Sequence, residues 1–409
     1  MKLEKFNHIL TGFGSNILGN ILMFATTIFL TRVYDPAVYG EFRLIFSFIA
    51  LAVILLLLGR DNGIIYFSQH EDESKDKIIQ EEIYFGFIVL LIGTLTIYLF
   101  SSKIIKIFLN EETTLKYFQI SLVMIPLWGF FNLTLAGLKS KGLINYTFVL
   151  SNLTQRALRV PFFILFALIS TSYYSLALSM IFSQMILVYL ALKKLPFLYN
   201  IKNVDFKNFF KRFKYAIQLG MNAIIVVLLT KIDVIMVGKY TDNIQVAIYD
   251  VCIMLAFVVM LPFVALVKSS EPVMKGLLTD KKIQAKYKKD LKLSILLSMG
   301  IVIFYLITSK YVLSIFGDIY IQGSLTLIAL SIGYMFSVAL GTPIEILNMN
   351  GFAKISTYIL LFSIFLNIVL NMILIPKYGI LGAGIATGVS LVVSKTISMF
   401  ILLKLYKGK

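Results

Sequence analysis

Arg156 and Arg159 lie three residues apart inside a long apolar run, with Pro161 just beyond them. Residues three apart share nearly one face of a helix, and a proline inside a helix loosens its hydrogen bonding locally. Each guanidinium offers planar, bidentate donors and stays charged, so the pair suits a phosphate or diphosphate. The competing reading puts both near a helix end, with their charged heads reaching lipid head groups. Lys231 and Asp233 stand in a second apolar run, Thr230-Lys-Ile-Asp-Val-Ile-Met-Val-Gly238, Asp250 and Glu345 in two others, and Lys395 late in the last. An ionisable side chain within a membrane span costs about 2.5–3.5 kcal/mol on insertion scales, so it faces a cavity or a partner. Lys231 and Asp233, two apart, point to different faces, and each needs a partner from elsewhere. Lys231, Asp233 and Lys395 therefore join the two arginines as candidate substrate-binding residues of a cavity. Asp233, Asp250 and Glu345 are the candidates for coupling to an ion. Interhelical salt bridges that only fix packing are the alternative for Asp250 and Glu345.

Other chemistries find no residues to carry them. The single cysteine, Cys252, excludes an intramolecular disulfide, and His8 and His70 are far apart, so no metal site is expected. Gly379-Ile-Leu-Gly382-Ala-Gly384-Ile-Ala-Thr-Gly388 lacks the Gly-Lys-Ser/Thr ending of a phosphate loop and sits in an apolar run, which favours close helix packing through small residues. With no nucleophile elbow, paired carboxylates or zinc ligands, no catalytic residues and no cofactor are expected, and the chain reads as a transporter and not an enzyme.

The elements that must position these charges are membrane helices. The chain is 59% hydrophobic and 14% charged, too little polar surface to cover a water-soluble body of 409 residues. Apolar runs of roughly 20 residues recur almost from end to end, which is the length a helix needs to cross the bilayer. They are too long and too continuous for barrel strands. Spans are expected near residues 10–33, 41–58, 83–101, 115–138, 146–170, 173–192, 213–238, 244–267, 290–308, 322–347, 355–375 and 379–403. The first lacks a small-residue cleavage pattern and reads as an uncleaved span. Most of the Lys and Arg behind the net charge of +17 fall in loops on one side, which sets both termini in the cytoplasm. Nucleic-acid binding, the other reading of a basic chain, is disfavoured because the lysines are spread over short loops and the aromatics are buried in spans.

The spans form two six-helix sets. Ser102-Lys103 is echoed by Ser309-Lys310, Ile107-Phe108 by Ile315-Phe316, and Leu138-Lys-Ser-Lys-Gly142 by Leu347-Asn-Met-Asn-Gly351. That is a period suited to a duplicated membrane module. The expected organisation is an N-terminal lobe over 1–195, a linker over 196–212 and a C-terminal lobe over 213–409, about twelve helices around a central cavity. The segment from Lys193 to Lys214 that joins the halves, with Phe206, Phe209, Phe210 and Phe213 among basic residues, reads as an amphipathic helix on the inner leaflet or as a solvated basic segment.

Four stretches carry a family resemblance: Leu30-Thr-Arg-Val-Tyr-Asp-Pro36-Ala-Val-Tyr39-Gly40-Glu-Phe42, Leu58-Gly-Arg-Asp61-Asn-Gly-Ile-Ile-Tyr-Phe67, Lys231-Ile-Asp233-Val-Ile-Met-Val-Gly238-Lys-Tyr240 and Asn348-Met-Asn-Gly351. In order and span count the chain resembles the Wzx-type polysaccharide flippases of the multidrug/oligosaccharidyl-lipid/polysaccharide exporter superfamily. The resemblance implies a protein of the bacterial cytoplasmic membrane that moves an undecaprenyl-diphosphate-linked oligosaccharide from the inner to the outer leaflet, for O-antigen or capsule synthesis. It implies alternating access, a cationic central cavity, and membrane lipids and glycan polymerases as partners. Arg32, in the first of the four stretches, is counted with the cavity cations. A multidrug or cation antiporter and a lipid II flippase share the fold and are the alternatives. A membrane-embedded glycosyl polymerase would call for a long outside loop, which the spans do not leave.

Overall fold

The computed structural model describes residues 2–71, 73–110, 113–199, 209–270, 274 and 280–407, which are helical without any strand. Among them, eleven helices are long and apolar enough to cross a membrane. The twelfth expected span, 213–238, falls within a further helix, Phe209–Tyr240. The protein is a multi-pass, all-α membrane protein, and by its contacts the chain divides into two compact units, Met1–Lys231 and Ile232–Lys409.

The first unit begins with α1 (Lys2–Val33), α2 (Pro36–Leu57), α3 (Arg60–His70), α4 (Lys75–Leu99), α5 (Ser101–Phe108) and α6 (Leu115–Ser121). It continues with α7 (Met124–Ser140), α8 (Ile144–Phe148), α9 (Gln155–Ile169), α10 (Tyr173–Leu192) and the first part of α11 (Phe209–Tyr240). α2 starts where Asp35 accepts a hydrogen bond from the Ala37 backbone at 2.8 Å and Pro36 opens the first turn, a standard N-terminal pairing. The second span does not stop at residue 58 as expected. It breaks at Leu58 and Gly59 and resumes as α3, so Asp61 lies in a first helical turn within a longer span.

The joint between halves was expected over 196–212. Of the linker over 196–212, residues 200–208 lie outside the described residues, so its expected place on the inner leaflet is not addressed. The division falls later, between Lys231 and Ile232, because the first part of α11 belongs to the first unit. There, a Cβ on Gly220 would stand 2.2 Å from the Gly59 Cα, so the two backbones touch in a way that only glycine permits. Nearer the start of α11, Arg212 is 2% exposed and donates to Glu71 at 2.7 Å and to Glu81 at 2.7 Å. Arg60, 1% exposed, lies 3.5 Å from Glu82 and under the rings of Phe85 and Phe213. Buried charges of this kind persist only when paired.

The second unit holds the rest of α11, α12 (Asn243–Ala256), α13 (Leu261–Ser270), α14 (Lys281–Ser314), α15 (Ser324–Ala339), α16 (Pro343–Met349), α17 (Ala353–Tyr378) and α18 (Ile380–Lys407). The glycine-rich start of α18 serves helix packing: a Cβ on Gly333 of α15 would lie 2.4 Å from the Gly388 Cα. The repeat is visible in backbone detail. After α7, Leu143 N–H donates to Leu138 C=O at 3.0 Å around Gly142 with φ +82°. After α16, Phe352 N–H donates to Leu347 C=O at 2.9 Å around Gly351 with φ +88°. Each is the six-to-one bond that ends a helix through a left-handed residue, and in each the leucine is fully buried.

Candidate functional site

The first unit contains a cavity of about 270 Å³. Its wall includes Thr27 of α1, Arg43 of α2, Trp128 of α7, Arg156 and Arg159 of α9, and Lys231 of α11. No carboxylate is among the described residues that line it. The sequence pair Arg156 and Arg159 is thus brought to one concavity, together with Lys231. Both arginines are half-buried.

Local structure fixes their aim. Residues Val149–Thr154, just before Arg156, form a π-helical turn, a widened turn common at functional sites. Arg156 Nη1 donates to Asn20 Oδ1 at 2.8 Å. A Cβ on the neighbouring Gly19 would meet that Nη1 at 2.8 Å, so the missing side chain leaves room for the guanidinium. With the Gln155 amide turned to suit its surroundings, its oxygen accepts from Arg159 Nη2 at 3.0 Å and its nitrogen donates to the Ser151 carbonyl at 2.9 Å. The Arg159 Nε is buried and has no hydrogen-bond partner among the described residues. Several like charges around one concavity are tolerable when water or an anion reaches them, and the forked donors match a polyanion.

Arg43 escaped the charge-led reading because it lies near the expected edge of the second span. The Asp35-Pro36 start signal places it two turns inside α2, and that signal was available in the sequence. Asn20 and Gln155, polar residues in apolar runs, were likewise readable. Arg32, expected among the cavity cations, sits exposed in the last turn of α1 and is not among the residues that line this cavity.

Asp233, Asp250, Glu345 and Lys395 lie in the second unit. Asp233 is 2% exposed and accepts from Asn371 Nδ2 at 2.7 Å and from Thr387 Oγ1 at 2.6 Å. Asn371 also donates to Asn367 Oδ1 at 3.0 Å, and its own Oδ1 is buried without a hydrogen-bond partner among the described residues. The site is a carboxylate that accepts from a neutral amide and a neutral hydroxyl. Asn367 and Asn371, four apart in α17, share a face, which is the pattern that marks them in the sequence. Asp250 is buried in α12. Glu345 is half-buried in the first turn of α16, with its Oε2 lacking a hydrogen bond among the described residues. Lys395, expected to meet substrate, caps a helix end. Its ammonium donates to the carbonyls of Ser337 and Gly341 at 2.9 and 3.0 Å, at the end of α15, and lies 4.0 Å over the Phe263 ring.

The described residues form an all-α membrane body with a cationic cavity and an enclosed carboxylate, and comparison with known proteins gives the chain a family. Residues 29–323 match the family described as Polysaccharide biosynthesis protein, and the chain belongs to that family. A membrane protein of Methanocaldococcus jannaschii is 38% identical over 86 residues, a match that spans only 21% of this chain and 21% of that protein. The fold is shared with an inward-facing multidrug resistance MATE transporter of the MOP superfamily, with TM-score 0.75 and 13% identity over 98% of both chains. It is shared also with the lipid II flippase MurJ in an inward closed conformation, with TM-score 0.74 and 17% identity, covering 98% of this chain and 87% of that one.

Proposed function

We propose that this protein translocates an undecaprenyl-diphosphate-linked oligosaccharide from the inner to the outer leaflet of a cytoplasmic membrane by alternating access, for synthesis of O-antigen, capsule or a related surface polymer. The observation that carries the reading is the cavity lined by Arg43, Arg156, Arg159 and Lys231 with no acid among its described lining residues. A diphosphate is the anion that forked, permanently charged donors hold best. An exporter of cationic drugs would call for carboxylates in the same place, so the antiporter reading is less well supported. Both termini lie in the cytoplasm on this reading, and a glycan polymerase takes up the product on the outer side.

Two forces drive the step. In an inside-negative cell an outward-moving anion gains about 2.3 kcal/mol per charge per 100 mV. The Asp233 site supports additional coupling to a monovalent cation or a proton: one negative charge, with the buried Oδ1 of Asn371 and the Thr387 hydroxyl beside it. Asp250 and Glu345 are weaker candidates for that role.

The test is the Arg156→Ala, Arg159→Ala double variant, scored for lipid-linked oligosaccharide accumulation in cells and for pyrophosphate binding to purified protein by calorimetry. Severe loss of both at normal protein level is expected, with Lys replacements intermediate because charge remains but the fork is gone. Wild-type polymer export at normal protein level would falsify the assignment.

A further inference from the structure

Trp128 differs from several tyrosines buried in the first unit. Tyr34 bonds to Ser175 at 2.8 Å, Tyr173 to Ser121 at 2.7 Å and Tyr146 to the Leu190 carbonyl at 3.0 Å. Trp128, half-buried in the cavity wall, makes no hydrogen bond and no ring contact among the described residues. An indole N–H that meets no protein acceptor is left to water or to a ligand. Here both the ring face and the donor are left to whatever enters the cavity.

The fold holds it there. The next residue, Gly129, is pressed against α4, where a Cβ would stand 2.5 Å from the methyl groups of Leu90. One residue along a helix is a rotation of about 100°, so the packing that fixes Gly129 sets Trp128 toward the arginines.

We propose that Trp128 is the sugar platform of the cationic cavity. With the diphosphate held by Arg43, Arg156 and Arg159, the indole face covers the apolar face of the first sugar ring and its Nε1–H donates to a hydroxyl or acetamido oxygen of that sugar. This deepens the diphosphate reading and rests on it. The consequence is selectivity for a glycosylated diphosphate over the bare lipid diphosphate, because a donor built for a sugar oxygen is left unpaired without one.

Trp128 is the single tryptophan of the chain, so intrinsic fluorescence reports this ring alone. Purified full-length protein is titrated with inorganic pyrophosphate, farnesyl diphosphate and farnesyl-diphosphate-linked N-acetylglucosamine, with calorimetry in parallel. All three should bind and lose affinity in Arg159→Ala, and only the sugar-bearing probe should change the emission. Trp128→Phe should weaken that probe about ten-fold or more and leave farnesyl diphosphate unaltered. Equal emission changes with farnesyl diphosphate, or equal weakening of all probes in Trp128→Phe, assigns the ring to the diphosphate site or to packing and overturns the proposal. So does a sugar-bearing probe that binds without moving the emission. If none of the three binds, the diphosphate reading falls first and the sugar platform falls with it.

Discussion

Replacing Arg212 by leucine tests how the start of α11 is held to the first unit. Its guanidinium, 2% exposed, meets Glu81 at 5% exposure and Glu71 at 28%. Leucine leaves Glu81 buried beside an apolar side chain, and losing one partner of a buried ion pair costs about 3–5 kcal/mol. Lys77, 3.8 Å from Glu81 and 36% exposed, is too distant and too solvated to substitute. Glu71 reaches water, so Glu71→Gln should cost about 1 kcal/mol or less. For a body of this size about 2–4 °C accompanies each kcal/mol, which puts the fall in melting midpoint for Arg212→Leu on the order of 6–20 °C. Adding Glu81→Gln to Arg212→Leu removes the stranded charge and should restore most of that fall. The assay is heat treatment of detergent-solubilised fluorescent fusions followed by size-exclusion chromatography. Equal falls for Glu71→Gln and Arg212→Leu, or no recovery with Glu81→Gln, would show that the ion network does not hold α11.

Other expectations are as direct. Gly142→Ala and Gly351→Ala meet no atom within 4 Å, so each should lose only the left-handed backbone preference, about 1–2 kcal/mol and nearly the same for both; a large difference in melting midpoint would break the equivalence of the two helix ends. Lys395→Leu strands the carbonyls of Ser337 and Gly341 and should cost about 1–3 kcal/mol while transport per folded molecule stays near wild type; normal stability with lost transport would return Lys395 to the substrate path. Asp233→Asn should fold, yet transport in vesicles should cease to respond to an imposed sodium or proton gradient. A response that persists places coupling elsewhere. Cysteine at Lys288 should be labelled only from the cytoplasmic side and at Asp318 only from outside, and the reverse would invert the topology.

How much of this was legible depended on where each partner lies in the chain. Spans such as Tyr173–Leu192 and Ala353–Tyr378 follow from uninterrupted apolar runs, because lipid demands them residue by residue. Arg156 and Arg159 were readable as a pair since their common face needs only helical geometry. The setting of Lys395 was not legible because the carbonyls that hold it come from Ser337 and Gly341, and no local pattern announces a distant helix end. The exposure of Arg32 follows from its place as a basic residue in the last turn of α1. Asp233 was recognised, but its surroundings were not, since amides and a hydroxyl from α17 and α18 carry no charge to draw attention. The end of the first unit was hidden because the meeting of Gly59 with Gly220 exists only once the chain has folded.

The Arg212 network also orders the protein's own synthesis. Glu81 leaves the ribosome 131 residues ahead of the arginine that neutralises it, and Glu71 141 residues ahead. Until α11 emerges, these acids must stay at the water's edge, so the first helices cannot close fully as they are made. A truncated product ending at Leu195 lacks that cation and should present to quality-control proteases as an unfinished bundle.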